Sequence, residues 1–543
     1  MRDSAPLIGR PDRSTFDYVI VGGGLAGCVL AARLSTDASM RVLLLEAGPA
    51  DRNPYIHIPA GASRLSESTY QWGLHSVPQR HCQDRVLPLA QARVIGGGSS
   101  INAQIYIRGV PSDYDHWQQL GAKGWSADDV RDYFIRIEAN QRIGAPLHGV
   151  AGPVSVTDLP DPHPLSLAWV DAGRQFGLPH NPDFNGPDQY GVGLYQVTGR
   201  KGRRSSTAVA YLRAARRRPN LFVRSRVTVS RVHVDHGRAT GVEVIGRSGV
   251  RRYRATREVI VCAGAYGSPK LLMLSGIGPA DHLRELGIPV QHDNPAVGQN
   301  LQDHGDLDVV YQLRSSLGLD RYQSPPLAAL AAARYLTVRR GPLTSNGVEA
   351  GAFTYADHTE HTPDLQFHFI PAGTIDARFA RLPRGQACTF NTYVMRPRSR
   401  GSVRLAGTDP LRPPVIDPNF LSDEADLELA IESLRQGRSI MAEPAMARFI
   451  AAERLPDGED LSTRDGRIGF IRRNIRTACH PVGTCAMGVS ADAVVDPELR
   501  VQGIANLRVA DSSVMPALIS GNTQAPTTMI AERAADLVLE RNR

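Results

Sequence analysis

Cysteine is scarce in this chain, with six in 543 residues. Cys28, Cys82, Cys262, Cys388, Cys479 and Cys485 follow neither zinc-finger spacing nor a disulfide framework. A reduced, cytoplasmic protein is the simplest expectation. Long apolar runs are also missing. None approaches the roughly 18 residues of a membrane span, and Met1 to Ser14 is polar, without the apolar core of a secretory leader. Lysine is nearly absent, at Lys123, Lys201 and Lys270 only. Arginine carries the positive charge instead, which we read as the codon bias of a GC-rich bacterial genome. Aromatic residues make up 6%, so rings for a large stacking surface are few.

The rest of the composition is ordinary. Hydrophobic residues are 42% and charged residues 21%, which excludes general disorder. The formal charge of +8, from 62 basic and 54 acidic residues, is modest and dispersed. The densest run, Arg213 to Arg218 with Arg203 and Arg204 nearby, reads as a solvated surface. No recognition motif accompanies it, so no nucleic-acid partner is expected. At about 150 residues per domain, the length allows three or four units or two large ones.

The first functional signal lies at the N-terminal end. Phe16 to Val21 is a β-branched apolar run, the pattern of a buried parallel strand. Gly22-Gly23-Gly24-Leu25-Ala26-Gly27 follows at once and fits G-x-G-x-x-G. Cys28 to Leu34 continues as a small-residue helix, and Arg41 to Leu45 forms a second strand ending at Glu46. In this unit Gly22 allows the tight turn, Gly24 lets a pyrophosphate approach the backbone, and Gly27 lets helix and strand pack closely. The helix start offers free N–H groups and the positive end of the helix dipole. Glu46 can accept from a ribose diol and would repel a 2′-phosphate, which disfavours NADP and leaves NAD and FAD.

A second glycine-rich stretch, Ala92 to Asn102, is by itself either a phosphate loop or a flexible turn. With its neighbours it resembles the glucose–methanol–choline (GMC) oxidoreductases, a flavoprotein family. Ala92 to Asp115 resembles the family's first signature, with Tyr106, Gly109 and Asp115 in matching places. Gly264 to Gly278 resembles the second, and Val297 to His304 a third recurrent block. The likeness runs from about Phe16 to the C-terminus. It implies an α/β fold: a Rossmann-like FAD-binding lobe built from discontinuous segments, and an α+β substrate lobe with an antiparallel sheet. We expect the flavin lobe at 15–159, 220–313 and 480–543, the substrate lobe at 160–219 and 314–479, and a flexible N-terminus at 1–14. The residue pattern agrees. Leu221 to Val234 alternates like a strand pair, Val259 to Cys262 is a strand entering a second tight turn, Leu507 to Ala510 is another strand, and Thr527 to Leu539 has helical spacing.

By the same resemblance, Gly22, Gly24, Gly27 and Glu46 bind the ADP half, Leu25, Ala26 and Ala47 also bind the cofactor, and Val227 meets the adenine through its backbone. Ala263 lies at the second turn. Asp511 and Ser512 lie near the ribityl and pyrophosphate groups. Gly97, Ser100, Asn102 and Ala103 belong beside the isoalloxazine, and Arg93, Asn522 and Thr523 also bind the cofactor. Some members carry a histidine at the place of Asn102 and bind FAD covalently. Asparagine here predicts noncovalent FAD. The loop departs from the family's usual G-R-x-x-G-G-S in having Ala92 for Gly and Gly98 for Ser.

The chemistry is expected near the C-terminus. Thr477 to Gly488 resembles the family's catalytic H-P-x-G-T-C-x-M-G, and Asn522 falls where the family places a second polar residue. An alcohol does not ionise at neutral pH, so a base must take its proton while hydride leaves for flavin N5. His480 is assigned as that base and Asn522 as donor to the substrate oxygen. Cys479, His480 and Cys485 lack a fourth ligand, so no metal is expected. His358 and His361 read as loop residues. Glu349 reads as a structural acceptor rather than a contact for a cationic headgroup, and Phe353, Phe367, Phe369 and Phe390 as strand core, with His368 on the face opposite the rings. The expected substrate is therefore an uncharged primary alcohol, with choline dehydrogenase and oxygen-using alcohol oxidase as alternatives and a hydroxynitrile lyase behind them. The electron acceptor, quinone- or dye-type or O2, and the oligomeric state are not readable.

Overall fold

The computed structural model describes residues 14–65, 68–247, 249–357, 362–373, 382–455 and 460–540. His358 and His361 lie outside the described residues. Two seven-stranded sheets organise the chain.

The first sheet has the order Leu221–Ser225, Val42–Glu46, Thr15–Val21, Gly249–Val261, Arg238–Gly246 and Thr228–Asp235. Leu507–Val509 joins it beside Gly249–Val261. The pairs around Thr15–Val21 are parallel, as the βαβ pattern requires. Val42–Glu46 is buried along its whole length, which explains its unbroken apolar sequence. The helix Leu25–Leu34 follows the glycine turn and packs on the C-terminal helix Gln524–Glu540.

Leu221 to Val234 forms two strands, but they are not a pair. Leu221–Ser225 runs parallel to Val42–Glu46, whereas Thr228–Asp235 pairs with Arg238–Gly246 at the opposite end of the sheet. Arg226 between them has φ +63°, and its N–H donates to the Gly48 carbonyl at 2.9 Å. That anchor sends the chain past the end of the second strand and not back on itself.

The second sheet is antiparallel, in the order Ile450–Leu455, Gly305–Leu313, Ala387–Val394, Leu365–Ile370, Ala350–Thr354 and Gly191–Leu194. Arg476–Thr477 adds to the edge of Gly305–Leu313. The rings of Phe367, Phe369 and Phe390 lie in its core with Trp169, and Phe353 packs in a smaller cluster with Tyr195 and Tyr393. Two boundaries differ from the sequence reading. Gly305–Leu313 belongs to this sheet, not to the first. Ala208, Tyr211, Leu212 and Ala215 lie in the core beneath the first sheet, although they fall within 160–219. Apolar patterning marks a residue as buried but does not say which of two cores receives it.

Candidate active site

A cavity of about 530 Å³ runs from the first glycine turn to His480 between the two sheets. At one end lie Gly22, Gly24, Leu25, Ala26, Glu46, Ala47 and Val227. Glu46 holds the turn: its Oε2 accepts from the Gly23 N–H at 2.8 Å and its Oε1 from the Gly48 N–H at 2.6 Å. Burial raises its pKa, and these two backbone bonds oppose the rise. Each oxygen still has a lone pair for a further donor, and Glu46 lines the cavity. The N–H of Val227 is spent on the Glu46 carbonyl at 3.0 Å, so its carbonyl is the backbone group left for a ligand.

The glycines fit a dinucleotide. A Cβ at Gly27 would stand 1.9 Å from the Gly22 carbonyl oxygen, which shows the close packing expected there. A Cβ at Gly24 would keep 3.9 Å from its nearest protein atoms, Cys262 O and Gly97 Cα. That direction is open because it is the cavity.

The second glycine loop forms the neighbouring wall with Gly97, Asn102 and Ala103. Asn102 donates to Gln524 Oε1 at 2.5 Å and accepts from the buried Arg204 guanidinium at 2.8 Å. Arg93 and Ser100 do not line the cavity. The Ser100 hydroxyl donates to the Ile95 carbonyl at 2.9 Å and so braces the loop from within. The Arg93 guanidinium lies 4.9 Å from the centre of the Trp72 ring, whose indole does line the cavity.

Ala263, Asp511, Ser512 and Thr523 are at the wall, but the Asp511 carboxylate is fully engaged. It accepts from Gly264 N and Ser268 Oγ on one oxygen, at 2.9 and 2.5 Å, and from Ser513 N and Oγ on the other, at 2.8 and 2.6 Å. Asp511 therefore clasps the second tight turn to the C-terminal segment, and no lone pair of its carboxylate is left over for a ligand.

At the far end His480 and Asn522 come together, Nε2 to Nδ2 at 3.2 Å. On its other side, His480 Nδ1 meets His304 Nδ1 at 2.9 Å. His304 Nε2 is 2.8 Å from the Met395 carbonyl oxygen. A carbonyl only accepts, so His304 carries its proton on Nε2 and offers a lone pair at Nδ1. His480 must then donate from Nδ1, which leaves its Nε2 lone pair facing Asn522 and the cavity. The Asn522 amide is oriented the same way, since its Oδ1 accepts from Gln366 Nε2 at 3.2 Å. Burial, and then the neighbouring imidazoles of His304 and His368, hold the His480 pKa well below its ordinary value. Burial takes His304 to about 4 and His368 to about 3. All three are neutral at physiological pH.

The backbone of His480 is fixed as well. Its N–H donates to Asp303 Oδ1 at 2.8 Å, and the Thr477 hydroxyl donates to the other oxygen of Asp303. His304, Gln366 and the Met395 carbonyl were not singled out from sequence. Asp303-His304 closes the third recurrent block, which was the available signal for His304. The alternation of Leu365–Ile370 put His368 opposite the rings, and His368 lines the cavity. Glu349 does not. It accepts from His163 N at 2.6 Å, Ser166 Oγ at 2.8 Å and Ser345 Oγ at 2.6 Å.

A dinucleotide cradle facing a neutral histidine–asparagine pair defines a flavoprotein oxidoreductase. The comparisons agree. Residues 16–306 and 397–531 match the N- and C-terminal domains of GMC oxidoreductase. The alcohol dehydrogenase [acceptor] of Pseudomonas putida is 42% identical over 532 residues, covering 97% of this chain and 96% of the relative. An oxygen-dependent choline dehydrogenase of Sinorhizobium fredii is 42% identical over 531 residues, covering 96% and 95%. Among solved structures, pyridoxine 4-oxidase from Mesorbium loti superposes with a TM-score of 0.87 at 34% identity, covering 96% of this chain and 98% of that one. A formate oxidase variant of Aspergillus oryzae, studied for FAD modification, gives 0.92 at 27% identity, covering 98% and 99%. The chain belongs to the GMC oxidoreductase family.

Proposed function

We propose that this protein oxidises an uncharged primary alcohol to the aldehyde with noncovalently bound FAD. In this reading the first sheet and its helices form the flavin lobe and the second sheet the substrate lobe. Gly22, Gly24 and Glu46 hold the ADP half, and Gly97, Asn102 and Ala103 face the redox ring. Bound there, FAD supplies the hydride acceptor. The substrate hydroxyl displaces the contact between His480 and Asn522, donating to His480 Nε2 and accepting from Asn522 Nδ2. His480 takes the proton and Asn522 steadies the developing charge on oxygen.

The observation that carries this reading is the chain Met395 carbonyl–His304–His480, which leaves the base lone pair of His480 aimed into the cavity. Asn102, tied to Gln524 and Arg204, offers no imidazole for a covalent flavin link. The test is anaerobic mixing of the yellow holoenzyme with a panel of alcohols. Bleaching of the flavin is expected with a primary alcohol, and His480→Ala should keep its yellow FAD while losing the bleaching. Full reduction by alcohol in that variant would refute the assignment of the base. Turnover of a substrate without any absorbance change would instead identify a lyase.

Choline is the second reading, favoured by the names of several relatives. The acidic groups near His480 speak against it. Asp306 lines the cavity but is paired with Arg476 at 2.9 Å, and Glu349 faces away, hydrogen-bonded. Among the described residues, a quaternary ammonium would meet the Tyr393 ring at that end and no carboxylate free of a partner. Choline in the alcohol panel decides between the two. The electron acceptor is read as a dye- or quinone-type molecule in preference to O2, and readmitting air or adding dye to the reduced enzyme separates them.

A further inference from the structure

The helix Pro325–Val338 has the wrong side facing out. Its sequence is PPLAALAAARYLTV, and only Ala331 and Tyr335 are buried. Leu330, Leu336 and Val338 are 63%, 69% and 59% exposed. With Pro326, Ala329 and Ala333, also exposed, Leu330 and Leu336 recur at helical spacing along one outward face. A globular helix normally turns such a face to the core.

The surroundings of this face are basic. The helix runs into Arg339 and Arg340. The turn Arg200 to Arg203 sits against it: a Cβ at Gly202 would be 2.8 Å from the Arg339 carbonyl oxygen. Arg200, Lys201 and Arg203 are exposed and form no ion pair among the described residues. Arg334 and Arg340 share the carboxylate of Asp161 at 3.1 and 3.3 Å, which leaves the cluster net positive. Protruding leucines ringed by arginine and lysine match the apolar tails and the anionic headgroups of a bilayer surface together. A second copy of the same face would set these cations against each other.

We propose that this face docks the protein peripherally on an anionic lipid bilayer. No helix among the described residues is long and apolar enough to cross a membrane, so the attachment is to one leaflet. The helix also lies close to the cavity wall in sequence. Shortly beyond it, Asn346 donates to the Ala103 carbonyl at 2.7 Å, and both Ala103 and Val348 line the cavity.

The test is flotation of the full-length holoenzyme with vesicles of phosphatidylcholine alone or with a quarter phosphatidylglycerol. We expect at least tenfold stronger partition onto the anionic vesicles, falling steeply between about 50 and 500 mM salt as the charges are screened. The double variant Leu330→Glu, Leu336→Glu should lose at least tenfold of that partition, with bleaching by a water-soluble alcohol unchanged. Absence of flotation, or flotation that the double variant leaves intact, would overturn the proposal. So would a dimer in solution that the double variant dissociates, since the face would then belong to a second copy. Lipid binding is read without turnover, so its failure is distinguishable from failure of the proposed chemistry.

Discussion

Replacing His304 tests whether the site works through a fixed tautomer. In His304→Leu the Nδ1–H of His480 loses its acceptor, now 2.9 Å away, in a place where both imidazoles are buried. An orphaned buried donor costs about 1–3 kcal/mol. The ring can avoid that cost by moving its proton to Nε2, and in that form it cannot act as a base toward the cavity. The base-competent fraction should therefore fall roughly 5- to 150-fold, at about 1.4 kcal/mol per factor of ten. His304→Asn can place an amide oxygen where Nδ1 stood and should recover much of the loss. The assay is anaerobic stopped-flow reduction of bound FAD, with flavin content checked first. A positioning role predicts a drop in the limiting reduction rate, little change in apparent substrate affinity, and rescue by asparagine. Equal losses in the two variants, or a wild-type rate in the leucine variant, would refute the tautomer argument.

Three further outcomes follow from the geometry. Gly24→Ala should give a colourless protein whose apo form melts within a few degrees of the wild-type apo form, because Gly24 has φ −72° and its Cβ would enter the cavity, not the protein; retained FAD would contradict the cradle. The His480 pKa is depressed by burial, so its base form persists as pH falls, and the flavin-reduction rate should stay flat from pH 8 to 6; an inflection near 6.5 that follows His480 would count against the site as described. His148 behaves oppositely: burial would lower it, but hydrogen bonds to Asp183 at 2.9 Å and Glu138 at 3.0 Å push it up to about 9. Its contribution, on the order of 3 kcal/mol, should be fully present below pH 6.5 and lost as pH rises through 9, and a denaturation series in which His148→Gln keeps the same slope between pH 7 and 10 would rule it out.

What was legible in the sequence was local. Gly22, Gly27 and Glu46 show their roles because a turn, a close packing contact and a strand end lie within one βαβ unit. The two sheets were expected because period-two and continuous apolar runs record burial directly. Ser100 and Asp511 were placed at the cavity by motif, but their side chains serve the protein. Ser100 braces its own loop, and Asp511 joins turns far apart in the chain. Hydrogen-bond saturation depends on tertiary partners, which order along the chain does not reveal. The same limit hid His304, whose tautomer is set by the Met395 carbonyl, just past the strand Ala387–Val394, which order along the chain could not bring beside it. The strand Gly305–Leu313 was expected with the first lobe but pairs in the second sheet, for a related reason: it follows His304 directly and leads into that sheet without a composition change.

In the proposed mechanism, the neutral histidine pair also explains how so buried a site would move a proton. Many general bases are oriented by a carboxylate, which raises the basicity of the ring and favours a resident imidazolium. Here the partner of His480 is an imidazole whose own proton is committed to the Met395 carbonyl. It can orient His480 but adds no negative charge to hold a cation. Asp303 is close, yet it bonds the His480 backbone, and burial pushes its carboxyl up to about 7. In the proposed reaction His480 therefore waits uncharged beside a neutral alcohol, at no cost of desolvating an ion. Its positive charge arises only when the substrate oxygen beside it becomes negative, so the two charges are created as a pair at hydrogen-bond distance. A resident imidazolium would have blocked the reaction, and the buried, carboxylate-poor setting of the ring is what prevents one.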